Sequence, residues 1–494
     1  KKEKKSVLAQ EKEPELSDAD DTPVFTLTGV RFSQSRLLSK EALQSLVAPW
    51  LGQAVSYADL QRLIISINHL YREKKIYTAV AVFPEQQVEN GVIAIRLIEG
   101  SVGEVVLEGN EYTADEYIHR WIDKGEQEEA IDVAALESNI LFYNRIHDQR
   151  LQAELRAGKA FGLTDVIIHV PEASRDAVNL YVDNYGYKST GEEQLSLLYQ
   201  RHQLFRSGDK FKAYALGSAG IKSLALQYDL PLGADGWRWM NQVQYTDSDL
   251  SEGDLSELDV TGNSLQLATS ASYLLYSDVD LWVSLLGGFS RTDSENTIAS
   301  QDLSDYRTDR YRGGIQFDWQ GDQWQLTGQY DHYWLRSHEK VSDNKRMITL
   351  DKAQLTYIYN FDSPFYAIAA FEAQLTSDEA LPGAASYSLG GASALRGYRP
   401  GAVSGDKGWY QILEIHNNGL AYANYTFDLF GFYDHGQVES GGDWITPSSA
   451  GFGVNISNND DLSLDVIAAK TLRNITLGQD SSAVYARLSW SLWE

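Results

Sequence analysis

Two different periodicities divide this chain. Within residues 24–171, apolar residues in places recur at helix spacing, with Leu60, Leu63 and Ile67 on one face of a predicted helix. From about residue 176 onward this spacing disappears, and apolar and polar residues alternate over many short stretches. The pattern predicts an α+β region followed by antiparallel β-strands.

The sequence pattern of the α+β region predicts two copies of one element order, the first over residues 24–99 and the second over residues 100–173. In each copy the order is strand, helix, helix, strand and strand. Ser56 and Asp59 have the spacing of a capping box, which marks the start of a helix. Gly29 and Gly109 are predicted to occupy equivalent places in the two copies, as in an internal repeat. Tandem modules with this order resemble the POTRA domains of the Omp85 superfamily.

The alternating region contains about 16 predicted strands, and an even number is typical of outer-membrane barrels. A barrel of about 16 strands leaves an aqueous lumen. A soluble sandwich also alternates, but here Trp and Tyr cluster near the predicted strand ends, as in an aromatic girdle. Long and short connections tend to alternate along the chain. Long loops are predicted at 248–261, 291–306, 337–344, 377–407 and 436–448, and tight turns at 277–278, 321, 417–419 and 458–460.

Composition narrows the possible functions. The formal net charge of −27 argues against nucleic acid as a partner, because phosphate binding needs basic patches. No apolar run approaches the ~20 residues of a membrane helix, so a bilayer would have to be crossed by a closed barrel. The chain has no Cys, and its 9 His are not at metal-ligand spacing. No nucleophile elbow, P-loop, HExxH or dinucleotide motif occurs, so we predict no enzyme activity, no metal and no cofactor.

Two short segments in the last quarter of the chain suggest a contact between a loop and the barrel wall. Arg396 lies in a Gly-rich predicted loop, and Asp434 ends a predicted strand. Asp434 shares its parity with Asp428 and opposes Tyr433, so the period of 2 points Asp434 into the lumen. A buried carboxylate needs a partner, and a guanidinium can bond it bidentately. The alternative is that Asp434 is a solvated lumen acid and Arg396 a surface charge.

Three motifs make the chain similar to the TpsB transporters of two-partner secretion, the filamentous hemagglutinin and hemolysin transporter type of the Omp85 superfamily. Residues 182–186 resemble the first barrel strand, 395–398 the tip of the sixth extracellular loop, and 432–436 the inner wall of strand 13. The resemblance implies a loop-to-wall clamp and a first-strand motif. The clamp residues are Arg396, Gly397, Tyr398, Phe432, Asp434 and Gly436, and the first-strand residues are Asp183, Asn184 and Gly186.

The resemblance implies an all-β transmembrane barrel of about 16 antiparallel strands after two small α+β POTRA domains. We expect a tail at 1–23, POTRA 1 at 24–99, POTRA 2 at 100–173 and the barrel at 174–494, with loop 377–407 folded into the lumen. The tail is short for the plug helix and linker common in this family. We therefore expect it to be disordered or outside the lumen.

The implied function is secretion across the bacterial outer membrane, with periplasmic POTRA domains that recognise an unfolded TpsA-type exoprotein through its N-terminal secretion domain. Outer-membrane lipids and lipopolysaccharide are the other expected partners, and a monomer is the expected state. An outer-membrane barrel assembly factor, or insertase, of the same superfamily is the alternative, although such proteins usually carry three or more POTRA modules. A passive porin would not need residues 24–171.

Overall fold

The computed structural model describes residues 8–9, 22–35, 37–74, 76, 79–99, 101–122, 133–159, 163–172, 174–251, 259–458, 461–475 and 479–493. The chain divides into two compact units, residues 1–172 and 173–494, which are described separately. No helix in the described residues is long and apolar enough to cross a membrane. The expectation for the tail concerns mainly residues 1–7 and 10–21, which lie outside the described residues.

The first module of the N-terminal unit has a three-stranded sheet covered by two helices. Val92–Glu99 is its central strand, parallel to Gly29–Phe32 and antiparallel to Ala79–Val82. The predicted capping box is confirmed, since Ser56 and Asp59 exchange side chain-to-backbone hydrogen bonds of 3.2 and 3.0 Å. The remaining elements are strands Phe25–Thr26 and Ala54–Val55, the 3-10 turn Ala48–Trp50, and helices α1 (Lys40–Val47) and α2 (Tyr57–Glu73).

The second module repeats this order with a sheet of its own. Leu163–His169 lies parallel to Ser101–Glu108 and antiparallel to Gln152–Ala157. The pair Leu8–Ala9 adds to the outer side of Gln152–Ala157 in parallel. The helices of this module are α3 (Asp115–Ile122) and α4 (Val133–Ile146).

The predicted equivalence of Gly29 and Gly109 is wrong. Gly29 begins the strand that pairs with Val92–Glu99, whereas Gly109 follows the end of the corresponding strand, Ser101–Glu108. Gly109 has a φ of 90°, which favours glycine, and a Cβ there would lie 3.1 Å from the carbonyl oxygen of Val170. The two glycines therefore match in the sequence pattern but occupy different structural positions: Gly29 lies at the start of a strand and Gly109 after the end of one.

The C-terminal unit is a closed antiparallel barrel of 16 strands, as predicted. The first strand pairs with the last and closes the barrel within a single chain. A short additional strand, Asp443–Ile445, pairs with the strand Tyr425–Ser440. The 16 strands are β1 (Asp176–Asp183), β2 (Gln194–His202), β3 (Lys210–Gly217), β4 (Ile221–Leu232), β5 (Trp237–Asp249), β6 (Val260–Ser277), β7 (Leu281–Ile298), β8 (Gln301–Gln320), β9 (Trp324–Glu339), β10 (Asn344–Asn360), β11 (Phe365–Leu375), β12 (Lys407–Tyr422), β13 (Tyr425–Ser440), β14 (Ser448–Asn458), β15 (Leu462–Thr471) and β16 (Ser482–Trp493).

The two faces of the barrel wall differ as the alternation predicts. On β13, Leu429 and Tyr433 are 42% and 39% exposed, whereas Phe432 and Asp434 are 6% and 0% exposed. Large apolar side chains are exposed along the outer face of many strands, which is the arrangement of a lipid-facing surface. Among the exposed aromatic residues are Trp237, Trp239, Tyr245, Tyr311, Trp319, Tyr330, Trp334, Tyr357 and Trp490.

The predicted long loop at 291–306 is wrong. Strand β7 continues to Ile298 and β8 begins at Gln301, with only Ala299 and Ser300 between them, at φ values of 47° and 62°. Two residues with positive φ form the tight hairpin that suits twisted strands. The polar composition indicated a loop, but cross-strand ion pairs such as Arg291 Nε to Asp309 Oδ1, at 2.6 Å, accompany the continued ladder. Strand extension also shortens the predicted loops 337–344 and 436–448.

The predicted turn at 417–419 is also wrong. Strand β12 runs on to Tyr422, and residues 417–420 form a register shift instead. The turn lies farther along, at Ala423, which has a φ of 52°. A Cβ on Gly419 would come within 2.5 Å of Pro364 Cβ in the neighbouring turn. The glycine therefore permits close packing between two connections rather than a chain reversal.

Candidate functional site

The connection between β11 and β12, residues 376–406, is a folded loop. It contains the 3-10 turn Gly383–Ala385 and a small hairpin of Tyr387–Leu389 with Val403–Gly405. Two arginines on barrel strands donate hydrogen bonds to backbone carbonyl oxygens in the first part of this loop. Arg310 Nη2 donates to the carbonyl oxygen of Ala384 at 2.8 Å, and Arg346 donates to the carbonyl oxygens of residues 379 and 380 at 2.6 Å.

The tip of this loop, residues 395–398, lies against the inner face of the wall. Leu395 is fully buried and has a φ of 59°, and Gly397 has a φ of 94°. A positive φ at a leucine is uncommon and costs energy, so the surrounding contacts must hold it. Leu395 packs with Tyr398 from the tip and Val438 from β13.

Arg396 and Asp434 form a bidentate ion pair at this tip. Arg396 Nη2 lies 2.6 Å from Asp434 Oδ1, and Nε lies 2.9 Å from Oδ2. The backbone N–H of Arg396 also donates to Oδ2 at 2.9 Å, and the guanidinium lies 3.6 Å from the ring centre of Phe432. Arg396 is 4% and Asp434 0% exposed, so removing either partner would leave a buried, unpaired charge.

Gly397 and Tyr398 join the tip to two further strands. The N–H of Gly397 donates to the Tyr485 hydroxyl on β16 at 3.2 Å, and this hydroxyl donates to the Tyr398 carbonyl at 2.9 Å. The Tyr398 hydroxyl lies 2.8 and 2.7 Å from the carbonyl oxygens of Ser448 and Arg473. Gly397 and Tyr398 therefore attach the tip to β14 and β16, in addition to its contact with β13.

Gly436 lies beside the tip on β13. A Cβ at this position would come within 2.7 Å of the Trp409 carbonyl oxygen and 3.1 Å of Leu395 Cδ1. Of the predicted clamp residues, the structure thus brings Arg396, Phe432 and Asp434 into direct contact, while Gly436 makes room for Leu395.

The first-strand motif lies at the seam between β1 and β16. Asp183 Oδ2 is 2.9 Å from Arg487 Nη2, and the guanidinium of Arg487 lies over the Tyr185 ring at 4.3 Å. The Asn184 amide accepts from Ala486 N and donates to the Val484 carbonyl, both at 2.9 Å. This side chain thus imitates a β-ladder partner across the seam.

Gly186 turns the chain out of the seam. Its N–H donates to the Glu192 carbonyl at 2.9 Å, and a Cβ there would collide with the carbonyl oxygens of Gly191 and Glu192. The structure therefore does not bring Asp183, Asn184 and Gly186 into the clamp. Tyr185 approaches it through an edge-to-face contact with Tyr485, at 6.0 Å between ring centres.

Sequence reasoning missed three side chains that contact the clamp or its partners. Glu414 on β12 accepts from Arg396 Nη1, His416 bonds Glu414, and Tyr485 holds the tip backbone. Glu414 is the cross-strand neighbour of Phe432. Parity along β12 puts Glu414 and His416 on one face, and His416 is expected from the sequence in the lumen or at its rim. Their proximity to Arg396 depends on register, which alternation does not give.

Comparison with known proteins gives the family. The model of the family described as "Haemolysin secretion/activation protein ShlB/FhaC/HecB" matches residues 162–457. The model of the family described as "POTRA domain, ShlB-type" matches residues 25–100. The heme/hemopexin transporter protein HuxB of Haemophilus influenzae is 24% identical over 464 residues, which cover 88% of this chain and 81% of HuxB. The outer membrane transporter CdiB of Escherichia coli is 23% identical over 443 residues, 81% of this chain and 70% of CdiB.

Solved structures agree on the fold. CdiB from Escherichia coli superposes with a TM-score of 0.69 at 20% identity, covering 97% of this chain and 92% of CdiB. BamA from Haemophilus ducreyi lacking POTRA domains 1–3 superposes with a TM-score of 0.57 at 14% identity. The superposition covers 94% of this chain and 100% of the BamA chain. At these identities the structures show a shared fold alone. The family match, by contrast, covers more than half of the chain and favours secretion over barrel assembly. The chain belongs to the haemolysin secretion/activation protein family, the outer-membrane transporters of two-partner secretion, as its motifs predicted.

Proposed function

We propose that the N-terminal unit captures an unfolded TpsA-type exoprotein in the periplasm, and that the loop tip gates its passage through the barrel. As a family member, the chain is an outer-membrane transporter that secretes a partner protein. We assign residues 1–23 to a tail, 24–99 to POTRA 1, 100–173 to POTRA 2 and 174–494 to the barrel, with loop 377–407 in the lumen. Lipids and lipopolysaccharide would cover the apolar outer face, and the closure of the barrel within one chain favours a monomer.

Capture would take place at an exposed sheet edge. In the described residues, Gly29–Phe32 pairs on one side only within its sheet. A groove with a volume of about 1010 Å³ lies beside this strand, lined by residues that include Phe32, Leu43 and Val47 of the strand and of α1. Extended segments add to such edges by backbone hydrogen bonds, and grooves select their side chains. The N-terminal secretion domain of the partner is the segment we expect here.

A deletion tests the receptor role. Removal of residues 24–171 should leave a folded pore and abolish export, because capture would be lost. The fragment 24–171, which has its own apolar clusters and sheets, should bind the secretion domain of the partner in solution. A fragment that does not bind, together with a deletion variant that still secretes, would contradict the proposal.

The gating role is carried by one observation, the buried pair of Arg396 and Asp434. Loss of either partner leaves an uncompensated buried charge, at a cost of roughly 3 to 5 kcal/mol, which is enough to displace the tip. Arg396→Ala and Asp434→Ala should each reduce export at least about tenfold. Arg396→Lys should not restore export, because an ammonium group cannot form the planar fork.

Arg399 offers a matched control on the same loop. Its ion pair with Asp480 is exposed, at 49% and 56% for the two side chains, so Arg399→Ala should export normally. Heat-modifiable migration of the barrel on gels would show that all variants fold and insert. Near-normal export by Arg396→Ala and Asp434→Ala would refute the gating role.

A further inference from the structure

A chain of hydrogen bonds leads from the clamp to a buried histidine. Arg396 Nη1 donates to Glu414 Oε1, and Glu414 Oε2 lies 3.1 Å from His416 Nε2. On the other side of the ring, His416 Nδ1 lies 3.1 Å from Asp428 Oδ2. The hydroxyl of Tyr366 on β11 donates to the same Asp428 oxygen.

With Glu414 and Asp428 both ionised, the hydrogen bonds around His416 fit one protonation state of its ring. Ionised carboxylates only accept hydrogen bonds, and both ring nitrogens of His416 face a carboxylate. Only the imidazolium ion can donate from both nitrogens. The side chain is 8% exposed, so water cannot readily replace either partner.

Aromatic rings from the two neighbouring strands fix the orientation of the imidazole. Tyr366 and Phe430 are its cross-strand neighbours on β11 and β13. Their ring centres lie 4.4 and 4.8 Å from the imidazole centre, with interplanar angles of 18° and 19°. The ring therefore cannot turn away from Glu414 and Asp428 without losing this stacking.

We propose that His416 is a positioning residue of the clamp: as a cation it holds Glu414 against Arg396, and loss of its proton loosens the loop tip. This inference rests on the gating role proposed above. The groups that face His416 are Glu414 on its own strand, Asp428 and Phe430 on β13, and Tyr366 on β11.

The direction of the pH effect follows from the charges. With His416 protonated, two cations, Arg396 and His416, face the carboxylates of Glu414, Asp428 and Asp434. Without that proton, Arg396 remains as the cation beside Glu414 and Asp434, Asp428 loses its cationic partner, and one ring nitrogen turns its lone pair toward a carboxylate. The anchored tip is therefore favoured at low pH and weakened as pH rises through the titration of His416.

A spin label on the loop measures this directly. The chain has no Cys, so Ser393→Cys provides a single labelling position, exposed and next to the tip. In the whole chain of residues 1–494, the ratio of mobile to immobile label should rise about tenfold between about pH 5 and about pH 9. Mobility should be high and independent of pH in His416→Gln. It should be low and independent of pH in His416→Arg, because a guanidinium is planar, stacks on rings and keeps its charge.

His332 provides the matched control. It also bonds a carboxylate on a neighbouring strand, with Nδ1 2.7 Å from Asp351 Oδ1. His332→Gln should keep the pH response of the unsubstituted chain. A flat pH profile in the chain with only the label would overturn the inference, even if a His416 variant did not fold. If Arg396→Ala also failed to mobilise the label, the gating proposal itself would be wrong. If Arg396→Ala mobilised it, only the role of His416 would be lost.

Discussion

Leu395 fits against the barrel wall only because Gly436 has no side chain. A Cβ at Gly436 would lie 3.1 Å from Leu395 Cδ1, 3.0 Å from Leu389 Cδ1 and 2.7 Å from the Trp409 carbonyl oxygen. The carbonyl oxygen belongs to a paired strand and cannot move freely. The strained backbone of Leu395, at a φ of 59°, is thus held against a surface that leaves no room for a methyl group.

Gly436→Ala should therefore displace the loop tip. Overpacking a tight site costs about 1 to 3 kcal/mol, and the loop can escape the clash by leaving the wall. We expect reduced export and a raised conductance in planar bilayers, with the barrel still folded. Gly431 on the same strand is the control, because a Cβ there would meet only the Gly451 carbonyl oxygen, at 4.0 Å. Equal behaviour of Gly436→Ala and Gly431→Ala would contradict this account.

The sequence could predict what depends on local periodicity. Alternation on β13 placed Asp434 on the inner face, and Ser56 with Asp59 marked the start of α2. Local periodicity could not predict which residues of different strands contact one another, because the register between strands is set by distant parts of the chain. Glu414 and Tyr485 were missed for this reason.

The positions of some strand ends were predicted wrongly because polar segments were interpreted as loops. The segment 291–306 looked like a loop because it is rich in charged residues, although these residues pair across strands. Alternation of charged with small polar residues carries little information about which face is apolar, so a ladder that leaves the membrane resembles a loop.

The seam between β1 and β16 gives a second prediction. Asn184→Ala removes two hydrogen bonds of 2.9 Å to the backbone of β16, and Asp183→Asn weakens the pair with Arg487. We expect Asn184→Ala to destabilise the barrel by about 1 to 2 kcal/mol, because it leaves backbone groups at the closure without partners. The temperature at which the barrel loses its heat-modifiable migration measures this.

Asn455 is the control for the seam. Its amide bonds Asp465 on the adjacent strand at 2.6 Å, away from the closure. Asn455→Ala should lower the transition temperature less, since backbone ladder bonds on both sides of β14 remain. If the two variants lost stability equally, Asn184 would have no special role in closing the barrel.

The hydrogen bonds of Glu172 predict that the N-terminal unit loses stability at acidic pH. Its carboxylate accepts three backbone N–H bonds, from residues 111–113, at 2.7 to 2.9 Å. Burial alone would raise the pKa of Glu172, but the hydrogen bonds from Thr113 and its neighbours outweigh it and lower the pKa. A lowered folded-state pKa adds stability above the unfolded value of about 4.3 and loses it as pH falls.

Glu172→Gln should therefore reduce the free energy of unfolding of the N-terminal unit by about 1 to 2 kcal/mol at neutral pH. The difference from the unsubstituted unit should shrink below about pH 4. Urea unfolding at several pH values measures both. Glu104→Gln is the control, because its ion pair with Lys159 is exposed and worth little. A stability difference for Glu172→Gln that does not change with pH would contradict the role of its charge.

The last prediction separates the tail from the loop as the element that closes the pore. Two tail residues, Leu8 and Ala9, pair with Ala153 and Glu154 at the edge of the second module. While they pair there, these two residues cannot form part of a helix inside the barrel.

Removal of residues 1–23 should consequently leave the conductance of the channel in planar bilayers almost unchanged. Deletion of residues 394–406 should raise it markedly, because this deletion removes Arg396 and the contacts of the tip with Asp434 and Tyr485. The double deletion should resemble deletion of the tip alone. A large increase on tail removal alone would show that the tail is a plug, and that its pairing with the second module is not the state that closes the channel.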